Sequence, residues 1–208
     1  IMMIESKKTT KQKRSRRDRR EDILKAATLL FSEYGFRGTT IAQISEAVGL
    51  TDPGVLHYFP TKVHLLQGVL AYRDEKDYQR HAEFVDAEIK VFSELFGILE
   101  NLVVENEKIP SLIRLFTVLV SESIREDHPS HEFFVDRYRR ARETYRQQFF
   151  DLLKDDIRPD VNIDELVNLI IAVMDGLQIQ WLLDPDEVNM VASFRLFSQM
   201  VIPYMTVG

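Results

Sequence analysis

The stretch from Thr39 to Lys62, TTIAQISEAVGLTDPGVLHYFPTK, leaves a folding chain few choices. Thr40, followed three residues later by Gln43, is a capping box, and Ile41, Ile44 and Val48 recur at the spacing of one helical face. Gly49 then stands where a helix needs a left-handed exit, with Leu50 able to fill the angle behind it. Thr51 caps a second helix. Pro53 lies in its first turn, where a missing N–H is no loss, and Val55, Leu56 and Phe59 are expected to face inward. Two short helices joined by a tight turn form a helix-turn-helix.

Charge is distributed unevenly around this unit. Residues 1 to 20 carry nine Lys/Arg against Glu5 and Asp18, a net of +7, which leaves −13 for the remainder of a chain whose total is −6. A basic arm beside a helix-turn-helix suits attraction to phosphate, and an acidic remainder is repelled from it. The chain therefore has a DNA end and a non-DNA end. The plain alternative is a solubilising tail. With 45% hydrophobic residues in 208, a packed core is available, and the absence of cysteine excludes disulfides and thiolate metal sites and fits a reducing cytoplasm. No segment has the basic, apolar, small-residue order of an export signal. The longest apolar run, Leu166 to Leu183, is interrupted by Asn168, Asp175, Gln178 and Gln180, so a soluble cytoplasmic protein is expected, with no membrane partner.

Periodicity predicts a first helix over Arg20 to Tyr34 through Ile23, Ala26, Ala27, Leu30 and Phe31, stopped by Gly35 and followed by a GFRG loop. Thr61 can cap a fourth helix through Val63, Leu65, Leu66, Val69 and Leu70, whose polar continuation to about His81 bridges toward a larger region. The order GFRGTTIAQISEAVGLTDPGVLHYFPTKVHLL resembles the N-terminal domain of TetR-family transcriptional regulators over roughly residues 20 to 70. Its strongest elements are the Thr-Thr opening, the Ala-Val-Gly-Leu turn and Phe-Pro-Thr-Lys. The resemblance implies that this domain reads an operator while the remainder dimerises and binds a ligand. Leu56 stands where a phosphate-contacting tyrosine is usual in that family and Tyr58 where histidine is usual; His57 or Tyr58 then supplies a neighbouring donor.

Physical roles follow from position. Thr39 and Thr40, with the free N–H groups of the helix they start, are expected to clamp a phosphate, and Lys62 does the same for the fourth helix. Base reading falls to the start and outer face of the second helix of the motif: Thr51, Asp52, Pro53, Gly54, His57 and Tyr58. Asp52 either accepts from a cytosine amino group or is held by the helix N-terminal dipole. For Thr40 and Thr51 capping alone is the plain reading, and His57 and Tyr58 can equally pack against a neighbouring helix.

The chain is thus expected to be all-α, about nine helices, divided into a basic disordered arm at 1–19, a three-helix helix-turn-helix domain at 20–70 and a helical ligand-binding and dimerisation domain at 71–208. In the last region Ala87 to Asn106 reads as one helix, Pro110 opens another, and Pro129 opens a long charged one with Phe133, Phe134, Tyr138 and Tyr145 on its inner side. Asn162 to Leu183 and Pro185 to about Tyr204 begin with the pairs Asn162–Glu165 and Asp184–Glu187. Both are apolar around much of their circumference, so one face is expected to meet the core and the other a second copy, giving a homodimer through 162–204 in which Phe194 and Phe197 serve the interface. TetR-family regulators are similar in this use of their last helices.

A ligand pocket can be drawn from Phe92, Phe96, Phe116, Phe133, Tyr145, Met174, Gln178 and Trp181, although aromatics at helical spacing serve equally as plain core. It would take a small apolar or amphipathic effector. Asp175 can bind such a ligand or cap a neighbour, and Gly176 is expected to permit close helix approach. His128 and His131 stand three apart at a helix start without a further ligand cluster, so no metal is expected, nor any other cofactor. An enzyme is disfavoured because no nucleophile, base or Gly-rich phosphate loop converges. The reading is a sequence-specific, ligand-responsive repressor released from a palindromic operator by a small molecule; a ligand-independent or activating DNA-binding protein is the alternative.

Overall fold

The computed structural model describes residues 15–85, 91–153 and 155–206. Among them are α1 (Arg16–Gly38), α2 (Ile41–Val48), α3 (Asp52–Tyr58), α4 (Lys62–Val85), α5 (Phe92–Glu107), α6 (Pro110–Ser123), α7 (His131–Leu153), α8 (Ile163–Leu183) and α9 (Met190–Met205). The arm at residues 1–14 and the expected beginning of α5 at Ala87 to Lys90 lie outside the described residues.

Helix boundaries move where a better cap stands nearby. The first helix begins at Arg16 rather than Arg20, because Ser15 and Asp18 form a reciprocal capping box at 3.0 and 3.1 Å, so residues 16–19 of the expected arm are helical. Gly35 interrupts this helix as expected, with φ 68°, but the GFRG segment resumes helical geometry to Gly38 instead of forming a loop. α7 starts at His131 rather than Pro129, and α9 at Met190 rather than Pro185. The Asp184 carboxylate accepts the Glu187 N–H at 3.4 Å but closes only a turn; Asn189, accepting the Ala192 N–H at 2.8 Å, makes the true cap.

Two cores organise the chain. The first joins Ile23, Leu24, Phe31, Ile44, Val55, Phe59, Leu65, Leu66 and Val69 of α1–α4 and the loop after α3 to Leu115 and Leu119 of α6 and Phe134 of α7. The second joins α5, α8 and α9 through Leu95, Phe96, Leu99, Val167, Ile170, Met190 and Phe194. The N-terminal unit is therefore not separated from the rest by a gap in packing. Its most extensive helix packing is α1 against α6, whereas α5 packs chiefly on α9. An isolated bridge between Ile157 and Thr206, with the Arg158 N–H on the Met205 carbonyl at 2.8 Å, ties the α7–α8 connection to the end of α9.

α8 and α9 each bury one face and leave another apolar face in solvent. Leu169, Ile179 and Leu183 on α8, and Leu196, Met200 and Tyr204 on α9, are all exposed, Leu183 to 81%. Phe194, expected at an interface between copies, is instead fully buried within its own chain, and Phe197 packs partly against the same core. Among the described residues nothing lies within 4 Å of the position of a Cβ on Gly176, so none of them makes a close approach there. By length and composition α8 is apolar enough to cross a membrane, yet it packs on α6, α7 and α9.

Candidate nucleic-acid interface and effector cavity

The helix-turn-helix forms as its sequence implies. Thr40 and Gln43 complete the capping box, the Thr40 N–H lying 2.7 Å from Gln43 Oε1, and Gly49 takes the left-handed conformation at φ 65°, ψ 38°. The Thr51 hydroxyl accepts the Gly54 N–H at 3.2 Å and starts α3 with Asp52 and Pro53 in its first turn. Val55 and Phe59 hold α3 to the core, leaving Thr51, Asp52, Pro53, Leu56 and His57 exposed and Gly54 and Tyr58 half-buried. Leu56, assigned inward by spacing, therefore points to solvent. The His57 ring stands edge-on to Tyr58 at 5.5 Å, and Tyr58 also packs partly on the core.

Two residues expected to grip phosphate are turned inward. Thr39 is fully buried, its hydroxyl donating to the Gly35 carbonyl at 2.8 Å and lying 3.1 Å from that of Leu30, so it secures the end of α1. The Lys62 ammonium donates to the carbonyls of Phe36 and Thr39, both at 2.9 Å, and sits 4.5 Å over the Phe36 ring. A buried carbonyl needs a donor, and the α1–α2 corner has no strand or helix partner of its own. Thr40 remains exposed at the start of α2 and Thr61 at the start of α4.

Phe36 was not singled out by sequence, yet it is the corner's fastening point. Its N–H donates to Glu122 at 2.8 Å, its carbonyl accepts from Lys62, and its ring meets Phe31 and, edge-on at 5.4 Å, His128. His128 is buried beside Ser123 and Ser130, and burial lowers its pKa, with Glu122 opposing. His131 Nδ1 lies 2.8 Å from the Ser123 carbonyl. These histidines are structural partners at the α6–α7 turn. A hydrophobic residue after a helix-ending glycine is the available sequence signal, but it does not reveal a carboxylate 86 positions away.

A cavity of about 200 Å³ opens between α4, α5, α6, α7 and α8. Of the residues expected to line it, Phe116, Tyr145, Met174 and Gln178 do so. Phe92 and Phe96 are instead buried in the second core, Trp181 packs against that core, and Phe133 packs against the first beside Phe134. The helical stripe alone does not distinguish a lining residue from the core behind it. The charged lining was missed: Arg73, Arg137 and Asp175 face the cavity together with Tyr138.

The Tyr138 hydroxyl donates to Asp175 at 2.7 Å. Burial raises the Asp175 pKa, while Tyr138, Arg137 and Arg73 oppose it; burial and Asp175 together raise the Tyr138 pKa, and burial pushes that of Tyr145 up to about 12. The Arg73 and Arg137 guanidinium carbons lie 4.5 and 5.1 Å from the centre of the Phe116 ring, and Arg137 also pairs with Asp74 at 2.5 Å.

A capped helix-turn-helix with an exposed second helix, carried on a helical body with a cavity, is the arrangement of a DNA-binding regulator. A profile described as bacterial regulatory proteins, tetR family, matches residues 23–69, and one described as the C-terminal domain of BetI-type transcriptional repressors matches residues 93–200. The chain belongs to the TetR family of transcriptional regulators, whose members are ligand-responsive DNA-binding repressors. It is 27% identical over 162 residues to the nucleoid occlusion factor SlmA of Marinomonas sp. strain MWYL1, covering 76% of this chain and 80% of that one. It is 25% identical over 171 residues to the HTH-type transcriptional repressor KstR2 of Mycolicibacterium smegmatis, covering 78% of each. The fold is shared with a transcriptional regulator from Saccharomonospora viridis crystallised with choline, at TM-score 0.74 and 22% identity over 92% of this chain and 100% of that one.

Proposed function

We propose that this repressor binds a near-palindromic operator as a homodimer paired through the exposed faces of α8 and α9, and that a small apolar or amphipathic molecule in the cavity releases it. Two α3 helices related by a two-fold axis would enter successive major grooves roughly 34 Å apart. Thr51, Asp52, Pro53, Gly54, His57 and Tyr58 would read bases, with Asp52 held by the α3 dipole. Thr40 and the first-turn N–H groups of α2 would take a phosphate, and the basic arm would add non-specific attraction. Such a protein works in the cytoplasm, where its DNA lies.

One observation carries the release mechanism: α4 holds the α1–α2 corner through Lys62 and lines the cavity through Arg73. Eleven residues of helix separate them, roughly 16 Å at 1.5 Å per residue. A ligand that prefers a different seating of Arg73 therefore biases the spacing of the two reading heads. The exposed stripes fit the dimer, because apolar faces of this extent favour burial, and Gly176 leaves α8 open to close approach by another helix. Selection of bound sequences from a random DNA pool tests the reading. A recovered palindrome with half-sites one helical turn apart supports it, whereas bound sequences with neither palindrome nor preferred spacing refute it.

A further inference from the structure

Taking α3 as the base-reading helix, we infer that Leu56 reads thymine, its side chain meeting the 5-methyl group of that base in the major groove. Leu56 is 37% exposed. Within the helix-turn-helix, Thr39 to Lys62, it is the only large hydrophobic side chain left exposed, since Ile41, Val48, Leu50 and Tyr58 are half-buried and Ile44, Val55 and Phe59 are buried. Val55 and Phe59, four residues apart, fix the side of α3 that meets the core. One residue on from Val55 the helix has turned by about 100°, which carries Leu56 off that side. Asp52 and Pro53, four and three residues earlier, share its new side, and His57 follows; all three are exposed. Leu56 and Pro53 thus form a short apolar strip on the outer side of α3.

The chemistry of duplex DNA leaves one good partner for that strip. Phosphate contacts call for N–H or O–H donors, and a leucine side chain has none. The base edges displayed in the major groove are hydrogen-bonding groups, with the thymine methyl as the apolar exception. A guanine, adenine or cytosine edge pressed against Leu56 would lose water to a side chain that cannot replace its hydrogen bonds, which costs free energy. Against a thymine methyl both surfaces are apolar, and removing them from water is favourable. The exposed residues of α8 and α9 differ, because Leu169, Ile179 and Leu183, and Leu196, Met200 and Tyr204, extend along whole helices as a partner helix requires.

The test takes an operator recovered by selection and replaces each thymine in turn, in both half-sites, by deoxyuridine, which lacks only the methyl group. Gel-shift titration at one salt concentration compares the parent protein with Leu56→Ala. The expected result is at least one thymine position at which the parent binds about tenfold more weakly after replacement, one buried methyl being lost from each half-site, while Leu56→Ala changes by less than about twofold. Truncating an exposed side chain leaves no core cavity, and the deoxyuridine scan of the parent is readable without the variant. No thymine methyl that matters to the parent, or a methyl penalty that survives Leu56→Ala at every position, overturns the assignment. So does a loss in Leu56→Ala that is equal on all these DNAs, which marks a backbone contact. The reading of α3 as the base-reading helix falls on a different result: bound DNA with no preferred sequence.

Discussion

The Glu122 carboxylate at the end of α6 accepts the Phe36 backbone N–H at 2.8 Å, fastening α6 to the break in α1 immediately ahead of the helix-turn-helix. Gly35 is favoured there by its positive φ, and because Glu122 Oε1 lies 2.6 Å from where a Cβ would fall, a larger residue would also push that carboxylate from its place beside the Phe36 N–H. Glu122→Ala leaves a half-buried N–H without its acceptor and is expected to cost about 1–2 kcal/mol, lowering Tm by about 3–6 °C. Thermal unfolding checks this, and an unchanged Tm would show that the hydrogen bond is not maintained in solution.

Lys62 separates two roles by salt dependence. As a phosphate ligand, its replacement would reduce the slope of log affinity against log salt by about 0.9 for each phosphate no longer neutralised. As the donor to Phe36 and Thr39, its replacement by methionine weakens operator binding by loosening the corner and leaves that slope unchanged. We expect the second pattern, with a stability loss of about 1–3 kcal/mol from two carbonyls deprived of their donor. Gel-shift titrations at several salt concentrations measure it.

Interface and core substitutions on α9 should behave differently. Met200→Glu, on the exposed stripe, is expected to give a folded monomer by light scattering and to weaken operator binding by about 10²-fold or more through loss of the second half-site. Phe194→Ala, in the buried core, is expected to cost about 3–5 kcal/mol. A dimeric, fully binding Met200→Glu protein would remove α9 from the interface.

Gly68 sits where α4 meets the reading head. A Cβ there would fall 2.7 Å from Phe59 Cε1 and 3.2 Å from Leu24 Cδ2, so Gly68→Ala is expected to destabilise by about 1–3 kcal/mol, read by urea unfolding. Its α-helical propensity alone would favour alanine, so the sign of the change decides between propensity and packing.

The cavity also predicts pH dependence. Burial holds Asp175 above the ordinary carboxylate range, so the folded chain binds that proton more tightly than the unfolded chain. The associated stability is fully present below the unfolded value of about 3.9 and is lost as pH rises through the folded pKa. Asp175→Asn should therefore be more stable than the parent at neutral pH, by a margin that shrinks in acid. At the other end, Tyr145, raised to about 12, loses its contribution as pH rises from about 10 through that value, and Tyr145→Phe should flatten this alkaline limb. Equilibrium unfolding across pH tests both signs.

Local chemistry was legible in the sequence. Thr40–Gln43, Gly49, Thr51 and Asn162 cap or turn as their side chains and backbone freedom require, because those bonds span only a few residues. Competition between caps was less legible: Ser15 and Asn189 took helix starts assigned to Arg20 and Pro185. The sequence by itself determined the helical order, the reading head and the family. Tertiary structure alone decided that Thr39 and Lys62 face inward, that Phe194 is core while Met200 is surface, and that Arg73, Arg137 and Asp175 meet around Phe116. Capping is settled by neighbours in the chain, whereas burial and charge pairing are settled by helices that meet only after the chain has folded.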